Sequence, residues 1–189
     1  GTVTDPFGWQ ASEADPIPNG PALCLWGDGQ CTATIIEDES YRYYTYGSGW
    51  DYWQCNGNSW TLRHILNKYT SEYPFARWRP NLPIAGPYAV YAFIPDGRRS
   101  GIDYCTTTHA EYIIDHEKGI DSAIINQNSY LDEWAYLGDF NFTDGILGSV
   151  QLHARTGEPD GTTRVCFDSI KFQQFRVYIP IAFDDFVYP

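Results

Sequence analysis

The sequence has no methionine, few basic side chains and no long apolar run. Its 189 residues include 12 Lys and Arg against 24 Asp and Glu, which gives a formal net charge of −12. A chain this acidic has no electrostatic attraction for nucleic acid or for an anionic membrane surface. No window approaches the ~18 consecutive apolar residues of a membrane-spanning helix. We therefore expect neither nucleic-acid binding nor membrane insertion.

The motifs of the common enzyme classes are also missing. There is no GxSxG nucleophile elbow, no HExxH zinc motif, no P-loop and no dinucleotide fingerprint. Adjacent acids such as Asp184 and Asp185 point to opposite faces of a strand, so a hydrolase would need carboxylates from distant strands to converge. The histidines lie in four separate segments, at His64, His109, His116 and His153. We expect a protein that is not an enzyme and has no metal or other cofactor.

Three consecutive acidic residues, which we call the acidic corner, are a candidate calcium site. Glu37, Asp38 and Glu39 follow one another directly after an apolar run. Calcium needs six to eight oxygen ligands that converge from several loops, and three neighbouring acids do not supply that by themselves. The pattern therefore favours a solvated turn over a calcium site.

The five cysteines favour an oxidising compartment. Cys24 and Cys31 enclose a short Gly-containing loop that could close on itself, and Cys105 and Cys166 lie in strand-like segments that could be neighbours. Cys55 is then left over, although it could instead pair with Cys105 or Cys166, and reduced buried thiols are the alternative. The chain starts at Gly1 and lacks Met, so we expect a secreted, extracellular or cell-surface protein whose signal peptide was removed.

What the sequence does contain is a series of short β-type runs separated by turn residues. Such runs recur about every 8–12 residues, which is typical of an antiparallel sandwich. The densest signal is residues 75–95, FARWRPNLPIAGPYAVYAFIP, which we interpret as a hairpin whose second arm is a central, buried strand. Leu62, Ile65, Leu66 and Tyr69 have the spacing of a short helix, the only such pattern. The sequence predicts an all-β, jelly-roll-like antiparallel β-sandwich.

Aromatic residues are unusually numerous, with 7 Trp, 15 Tyr and 10 Phe. Residues 41–60 are the richest stretch. One interpretation is a hairpin stabilised by cross-strand aromatic pairs; the other is an exposed platform on which sugar rings stack. The two are compatible, and the stacking candidates are Tyr43, Tyr46, Trp50, Tyr52 and Trp53. Asn141 begins a glycosylation-type sequon, Asn141-Phe142-Thr143.

The two terminal segments differ from the body. Residues 1–31 are Pro-rich without a period and indicate an extended lead-in. In residues 174–189 the apolar side chains alternate strongly, which predicts a strand that must be covered, either on its own sandwich or by insertion into another subunit. Its assembly candidates are Phe175, Val177, Ile179, Ile181 and Phe183.

Residues 32–173 carry a family resemblance. A WxPNLPxAGxYxVYA pattern, an NQ…W…LGxFxF stretch and a strand similar to DAxxF together resemble the golvesin C-terminal domain, also described as a xanthan-lyase-type carbohydrate-binding domain. The matching residues are Trp78, Pro80, Asn81, Leu82, Pro83, Ala85, Gly86, Tyr88, Val90, Tyr91, Ala92, Asn126, Gln127, Trp134, Leu137, Gly138, Phe140, Phe142, Asp168, Ile170 and Phe172. The resemblance implies a β-sandwich module of secreted and surface proteins that is presumed to bind sugars and has no catalysis of its own.

Two hypotheses for function follow. The first is a structural protein of the cell exterior whose copies assemble into a filament or sheath through their terminal segments. The alternative is a carbohydrate-binding module whose partner is a polysaccharide, bound by the exposed rings of residues 41–60.

Overall fold

A computed structural model gives the fold and describes residues 33–54, 57, 58, 60–68, 74–99 and 102–174. These residues form fourteen β-strands and one 3-10 turn, Gln127–Ser129, and they contain no α-helix. The strands are β1 (Ala33–Ile36), β2 (Tyr43–Tyr46), β3 (Asp51–Gln54), β4 (Thr61–Leu66), β5 (Phe75–Trp78), β6 (Gly86–Ile94), β7 (Arg98–Arg99), β8 (Ile102–Asp103), β9 (Ala110–His116), β10 (Gly119–Ile125), β11 (Glu133–Phe142), β12 (Ser149–His153), β13 (Arg164–Phe167) and β14 (Ile170–Gln174).

The strands pair antiparallel in a β-sandwich. A four-stranded sheet has the order β1-β14-β6-β11, and a five-stranded sheet has the order β10-β9-β12-β5-β2. A three-stranded sheet, β13-β4-β3, and a two-stranded ribbon, β7-β8, complete the described strands. The prediction of an all-β antiparallel sandwich is confirmed.

Alternating side chains on the long strands build the core. On β6, Tyr88, Val90, Ala92 and Ile94 are fully buried in the main apolar cluster, while Tyr91 and Phe93 on the opposite face are half-buried. The five-stranded sheet supplies Trp78, Tyr112 and other apolar side chains to the same cluster. The two larger sheets therefore enclose one core, as a sandwich of half-apolar strands requires.

Two predicted hairpins are wrong. Residues 75–78 form β5 in the five-stranded sheet, whereas residues 86–94 form β6 in the four-stranded sheet, so the connection between them crosses from one layer to the other. Leu82 holds this crossing in place, because its N–H donates to the carbonyl of Gly145 at 2.9 Å. Residues 43–46 and 51–54 likewise belong to different sheets.

The short helix predicted from Leu62, Ile65 and Leu66 is also wrong. These residues lie in β4, which pairs with β3 on one side and β13 on the other. Leu62 and Ile65 point to opposite faces of β4, and both are buried. Because the strand is buried on two faces, its apolar residues recur at a spacing that resembles that of a helix. Beside β4, Cys105 is bonded to Cys166, one of the pairings that the sequence left open.

Both ends of the described chain lie at the same end of the four-stranded sheet. Ala33, at the start of β1, pairs with Gln173, near the end of β14. The predicted Cys24–Cys31 loop, Cys55 and the assembly candidates from Phe175 to Phe183 lie outside the described residues. Across the part of the chain that is described, no helix is long and apolar enough to cross a lipid bilayer.

Candidate functional site

Three of the five stacking candidates pack against the interior. Tyr43 contacts Trp78 with ring centroids 5.3 Å apart, and Trp50 meets Phe167 edge-on at 4.8 Å. Trp53 packs against Tyr104 and against the small cluster that contains the disulfide. These rings stabilise the contacts between the sheets, and their faces are largely occupied.

The other two candidates are exposed but lie on different surfaces. Tyr46, at 41% exposure, lies on the outer face of the five-stranded sheet. Tyr52, at 38% exposure, lies on the three-stranded sheet, where its hydroxyl donates to Glu39 and Arg63 lies over its ring. The five residues therefore do not form one exposed row, because β2 and β3 belong to different sheets.

A different line of rings lies on the outer face of the five-stranded sheet. Strands β2, β5 and β12 are neighbours there, and their register places Tyr46 beside Phe75 and Phe75 beside His153. Tyr46 stacks on Phe75 with centroids 5.3 Å apart and 22° between the ring planes. His153 lies 5.5 Å from Phe75 on its other side, and Tyr44 lies 6.2 Å from it. We call Tyr44, Tyr46, Phe75 and His153 the ring strip.

A polar row runs beside the ring strip. Arg77 donates from Nε to the side-chain oxygen of Gln151 at 2.9 Å, and a second guanidinium nitrogen contacts the same oxygen. The amide nitrogen of Gln151 is in hydrogen-bond contact with Nε2 of His153. Arg77 also lies over the Phe75 ring, with its guanidinium carbon 5.7 Å from the ring centroid. Rings and planar polar groups therefore lie side by side on one surface.

The ring strip continues into a groove of about 350 Å³. Its lining includes the apolar side chains of Ile113 and Ile124 and polar side chains from two segments of the chain. The lining residues are His109, Glu111, Ile113, Ile124, His153, Arg155, Thr156 and Gly157. His153 belongs to both the strip and the groove, so the two form one continuous surface. We call this combination the strip–groove surface.

The groove is lined by an acidic side chain, Glu111, and a basic one, Arg155, as well as by histidines. Burial lowers the pKa of His153, and the guanidinium groups of Arg77 and Arg155 lower it further, whereas Glu111 raises it. Apolar side chains, aromatic rings and a few convergent polar groups are the usual lining of a ligand site. Among the described lining residues Glu111 is the single carboxylate.

A second aromatic cluster lies on the outer face of the four-stranded sheet. Tyr91 pairs with Tyr136, and Phe93 pairs with Trp134. The ammonium group of Lys171 lies 4.6 Å from the Tyr91 ring centroid and 4.5 Å from that of Trp134. These ring faces already contact a cation, so they are less open to a ligand than the ring strip.

The acidic corner is not the solvated turn that the sequence favoured. Asp38 is buried and accepts a hydrogen bond from Thr61, while Glu37 accepts from Asn58 and Ser169 and Glu39 accepts from Tyr52. The three carboxylates thus bind different donors. Among the described residues, no group of three or more His, Cys, Asp or Glu side chains could hold a metal ion.

The glycosylation candidate and two of the histidines have definite places. Asn141 lies in β11, next to its last residue, and its carbonyl accepts a hydrogen bond from the N–H of Glu117. His109 and His153, which the sequence places in separate segments, both line the groove.

Comparison with known proteins assigns the fold to a family. The model of the golvesin C-terminal domain matches residues 34–174. The chain belongs to the golvesin C-terminal domain family. Among solved structures, a Paenibacillus xanthan lyase has a similar fold, with a TM-score of 0.61 and 20% sequence identity. The similarity covers 77% of this chain and 13% of the lyase chain. No curated protein sequence matches.

Sequence reasoning missed most of the strip–groove surface. Only Tyr46 was among the stacking candidates. Alternation within FARW and SVQLH places Phe75, Arg77, Gln151 and His153 on one parity of their strands, and Trp78 and Leu152 on the buried parity. That signal shows which side chains face outward on each strand, but it does not show that β5 and β12 are neighbours.

Proposed function

We propose that this chain contributes a non-catalytic carbohydrate-binding domain to an extracellular protein and that the strip–groove surface binds the sugar. The observation that carries the proposal is the alignment of Tyr46, Phe75 and His153 across three neighbouring strands, next to the Arg77–Gln151 pair. The alignment places exposed rings and planar hydrogen-bonding groups within reach of one ligand.

The chemistry of the surface suits a saccharide. A pyranose ring has an apolar C–H face that packs on an aromatic ring and hydroxyl groups that need directional donors and acceptors. Tyr46 and Phe75 provide the flat apolar area. Arg77, Gln151 and Glu111 provide the planar polar groups, which form paired hydrogen bonds. A surface with one carboxylate among its described lining residues suits binding rather than hydrolysis, which normally uses two.

Three other findings support this assignment. The structural neighbour is a xanthan lyase, which associates the fold with a carbohydrate substrate. Family membership supports an extracellular setting. The Cys105–Cys166 disulfide is of the kind that persists in oxidising compartments.

Calorimetric titration of the 189-residue chain tests the proposal. The ligands are xanthan, a neutral β-glucan and a polyuronate, and the variants are Y46A/F75A and Y41A. Tyr41 is 89% exposed, lies before β2 and is not a ring-strip residue, so its variant is the matched control. We expect at least one polysaccharide to bind wild type and Y41A equally and Y46A/F75A at least about tenfold more weakly, a difference of about 1.4 kcal/mol. Equal binding by all three proteins, or none, would contradict the proposal.

Self-assembly through the terminal segments is a second candidate, favoured by one observation. Ala33 and Gln173 pair at one end of the four-stranded sheet, so the described chain begins and ends at neighbouring positions. An alternating segment that begins beside a sheet end can add as a strand to another copy. We expect light scattering to show concentration-dependent oligomers that disappear when residues 175–189 are deleted. A monomer at high concentration before and after deletion would rule this candidate out.

A further inference from the structure

The side-chain amide of Gln151 connects Arg77 of the polar row to His153 of the ring strip. Its oxygen contacts Nε and a terminal nitrogen of Arg77, and its nitrogen contacts Nε2 of His153. All three residues lie on the outer face of neighbouring strands β5 and β12. The chain of contacts therefore joins the cation beside Phe75 to the imidazole at the mouth of the groove.

Donor and acceptor roles along this chain follow from the arginine. A guanidinium group donates hydrogen bonds and accepts none. The Gln151 atom that faces Arg77 must then be the carbonyl oxygen, and the atom that faces His153 must be the NH₂ group. Because that NH₂ group donates, Nε2 of His153 must accept. Only a neutral imidazole with its proton on Nδ1 has a lone pair at Nε2.

We propose that Gln151 is a positioning residue that holds His153 as the neutral Nδ1–H tautomer, so that the strip–groove surface binds its ligand when His153 is neutral and releases it when His153 is protonated. The ligand part of this inference rests on the proposed function, whereas the tautomer part does not. Protonation would set a ring N–H against the amide N–H of Gln151. The contact would break, and His153 and Gln151 would have to rotate.

The charged groups around His153 determine where this change occurs. Arg77 faces it from β5, Arg155 follows it on the chain, Glu111 faces it from β9, and His109 lies across the groove. Glu111 favours the charged ring, but burial and the two guanidinium groups oppose it, with burial the largest effect. The pKa of His153 therefore lies below the ordinary value of 6.5, and His153 is neutral at pH 7.

Nitrogen-15 NMR of the His153 ring tests the tautomer without any ligand. In wild type at pH 7 we expect the proton on Nδ1 and an unprotonated Nε2. In Q151M, which keeps the size of the side chain but removes the donor, we expect a mixture of the two tautomers. An Nε2–H tautomer or a charged ring in wild type at pH 7, or an unchanged tautomer in Q151M, would overturn the assignment.

The pH profile of polysaccharide binding tests the second part. Using the tightest ligand from the panel above, we expect wild-type affinity to fall by about tenfold between pH 7 and pH 4.5, which corresponds to about 1.4 kcal/mol. His153→Phe keeps a ring in the strip but cannot titrate, so its profile should be flat. His116→Gln, which alters a histidine that contacts Asp121, is the control and should retain the wild-type profile.

The outcomes separate the two proposals. If the affinities of wild type and H153F fall in parallel, with circular dichroism showing both folded, the pH inference is wrong while the binding function stands. If no polysaccharide binds at any pH, the proposed function fails together with the ligand part, while the NMR result still decides the tautomer.

Discussion

Tyr46 stacks on Phe75 across the β2–β5 pair, with ring centroids 5.3 Å apart and planes inclined by 22°. Tyr46 is at the end of an edge strand, and Phe75 is at the start of its neighbour. Offset stacking of this kind leaves one face of the tyrosine open while it fixes the orientation of both rings. The pair is the aromatic half of the proposed sugar-binding surface.

This stacking should be measurable as a coupling free energy. Y46A, F75A and the double variant form a cycle, and we expect the two residues to be coupled by about 0.5–1.5 kcal/mol in the free energy of unfolding. Urea denaturation followed by circular dichroism measures each variant. A cycle that pairs Tyr41 with Phe75 should give a coupling near zero. Additive effects for Tyr46 and Phe75 would show that the two rings do not interact.

The Cys105–Cys166 disulfide should contribute strongly to stability. It joins residues 61 positions apart, ties β13 to the segment before β9, and packs against Leu62 and Trp53. Closing a loop of this length lowers the entropy of the unfolded chain, so we expect C105A/C166A to lose about 3–4 kcal/mol. Guanidinium denaturation measures the loss, with Trp53 as one fluorescent reporter. A loss below about 1 kcal/mol would contradict this role.

Asp168 and Glu37 share the hydroxyl of Ser169. Its oxygen lies 2.7 Å from Oδ1 of Asp168 and also within hydrogen-bond distance of Glu37. A hydroxyl has one proton to donate, so both contacts are hydrogen bonds only if one carboxyl group is protonated. Burial raises the pKa of Asp168 well above its usual value, and the nearby Asp38 and Glu37 raise it further. Asp168 is therefore the group that we expect to hold the proton.

Asp168→Asn should mimic this protonated state. Its NH₂ group can donate to Ser169, and its oxygen can still accept from the N–H of Asn58, the partner of Asp168 at 3.1 Å. Because the folded state binds the proton more tightly than the unfolded state, wild type loses stability as pH rises from about 4 through the raised pKa. We expect D168N to be more stable than wild type by roughly 1 kcal/mol at pH 7 and to lose this advantage at pH 4.

Thermal unfolding at several pH values measures the difference, and Asp144→Asn, at an exposed position, is the control. A D168N variant that is less stable than wild type at pH 7 would show that Asp168 is ionised in the fold.

His64 should act in the opposite direction. It is buried between Trp53 and Tyr104, accepts at Nδ1 from Arg164, and has no hydrogen-bond partner for Nε2 among the described residues. Its pKa is lowered to about 4, mainly by burial; Asp51 opposes this shift and Arg164 adds to it. The unfolded state therefore takes up a proton first, so the contribution of His64 to stability is complete above pH 6.5 and is lost as pH falls towards about 4.

We expect His64→Phe to remove roughly 2 kcal/mol of this acid-induced loss between pH 6.5 and pH 4. Denaturation at each pH measures it, and His109→Gln, at an exposed position, should retain the wild-type slope. A parallel slope in H64F would contradict the assignment.

The sequence predicted where strands occur better than it predicted which strands pair with one another. The second arm of the segment at residues 75–95 forms β6, the central, buried strand that the sequence predicts. The hairpin at residues 75–95 failed for a physical reason: each arm has a strand pattern, but local pattern does not determine which sheet a strand joins. The contact of Leu82 with Gly145 that directs the crossing is between residues 63 positions apart.

The candidate site was harder to predict for the same reason. Phe75 and His153 lie on strands that are far apart in sequence and become neighbours only through the strand order. Aromatic residues 41–60 attracted attention because of their number, yet number does not distinguish a ring that packs on Trp78 from one that faces solvent. Trp60, which is 75% exposed, was not among the candidates, whereas Tyr43, which is half-buried against Trp78, was.

The most direct test of the strip–groove surface is an NMR titration of the 189-residue chain with an oligosaccharide from the polysaccharide that binds most tightly. The account predicts that amide shifts change most at Tyr46, Phe75, His153 and the groove residues Thr156 and Gly157, and little elsewhere. Changes centred on Tyr91 and Trp134, on the outer face of the four-stranded sheet, would contradict it.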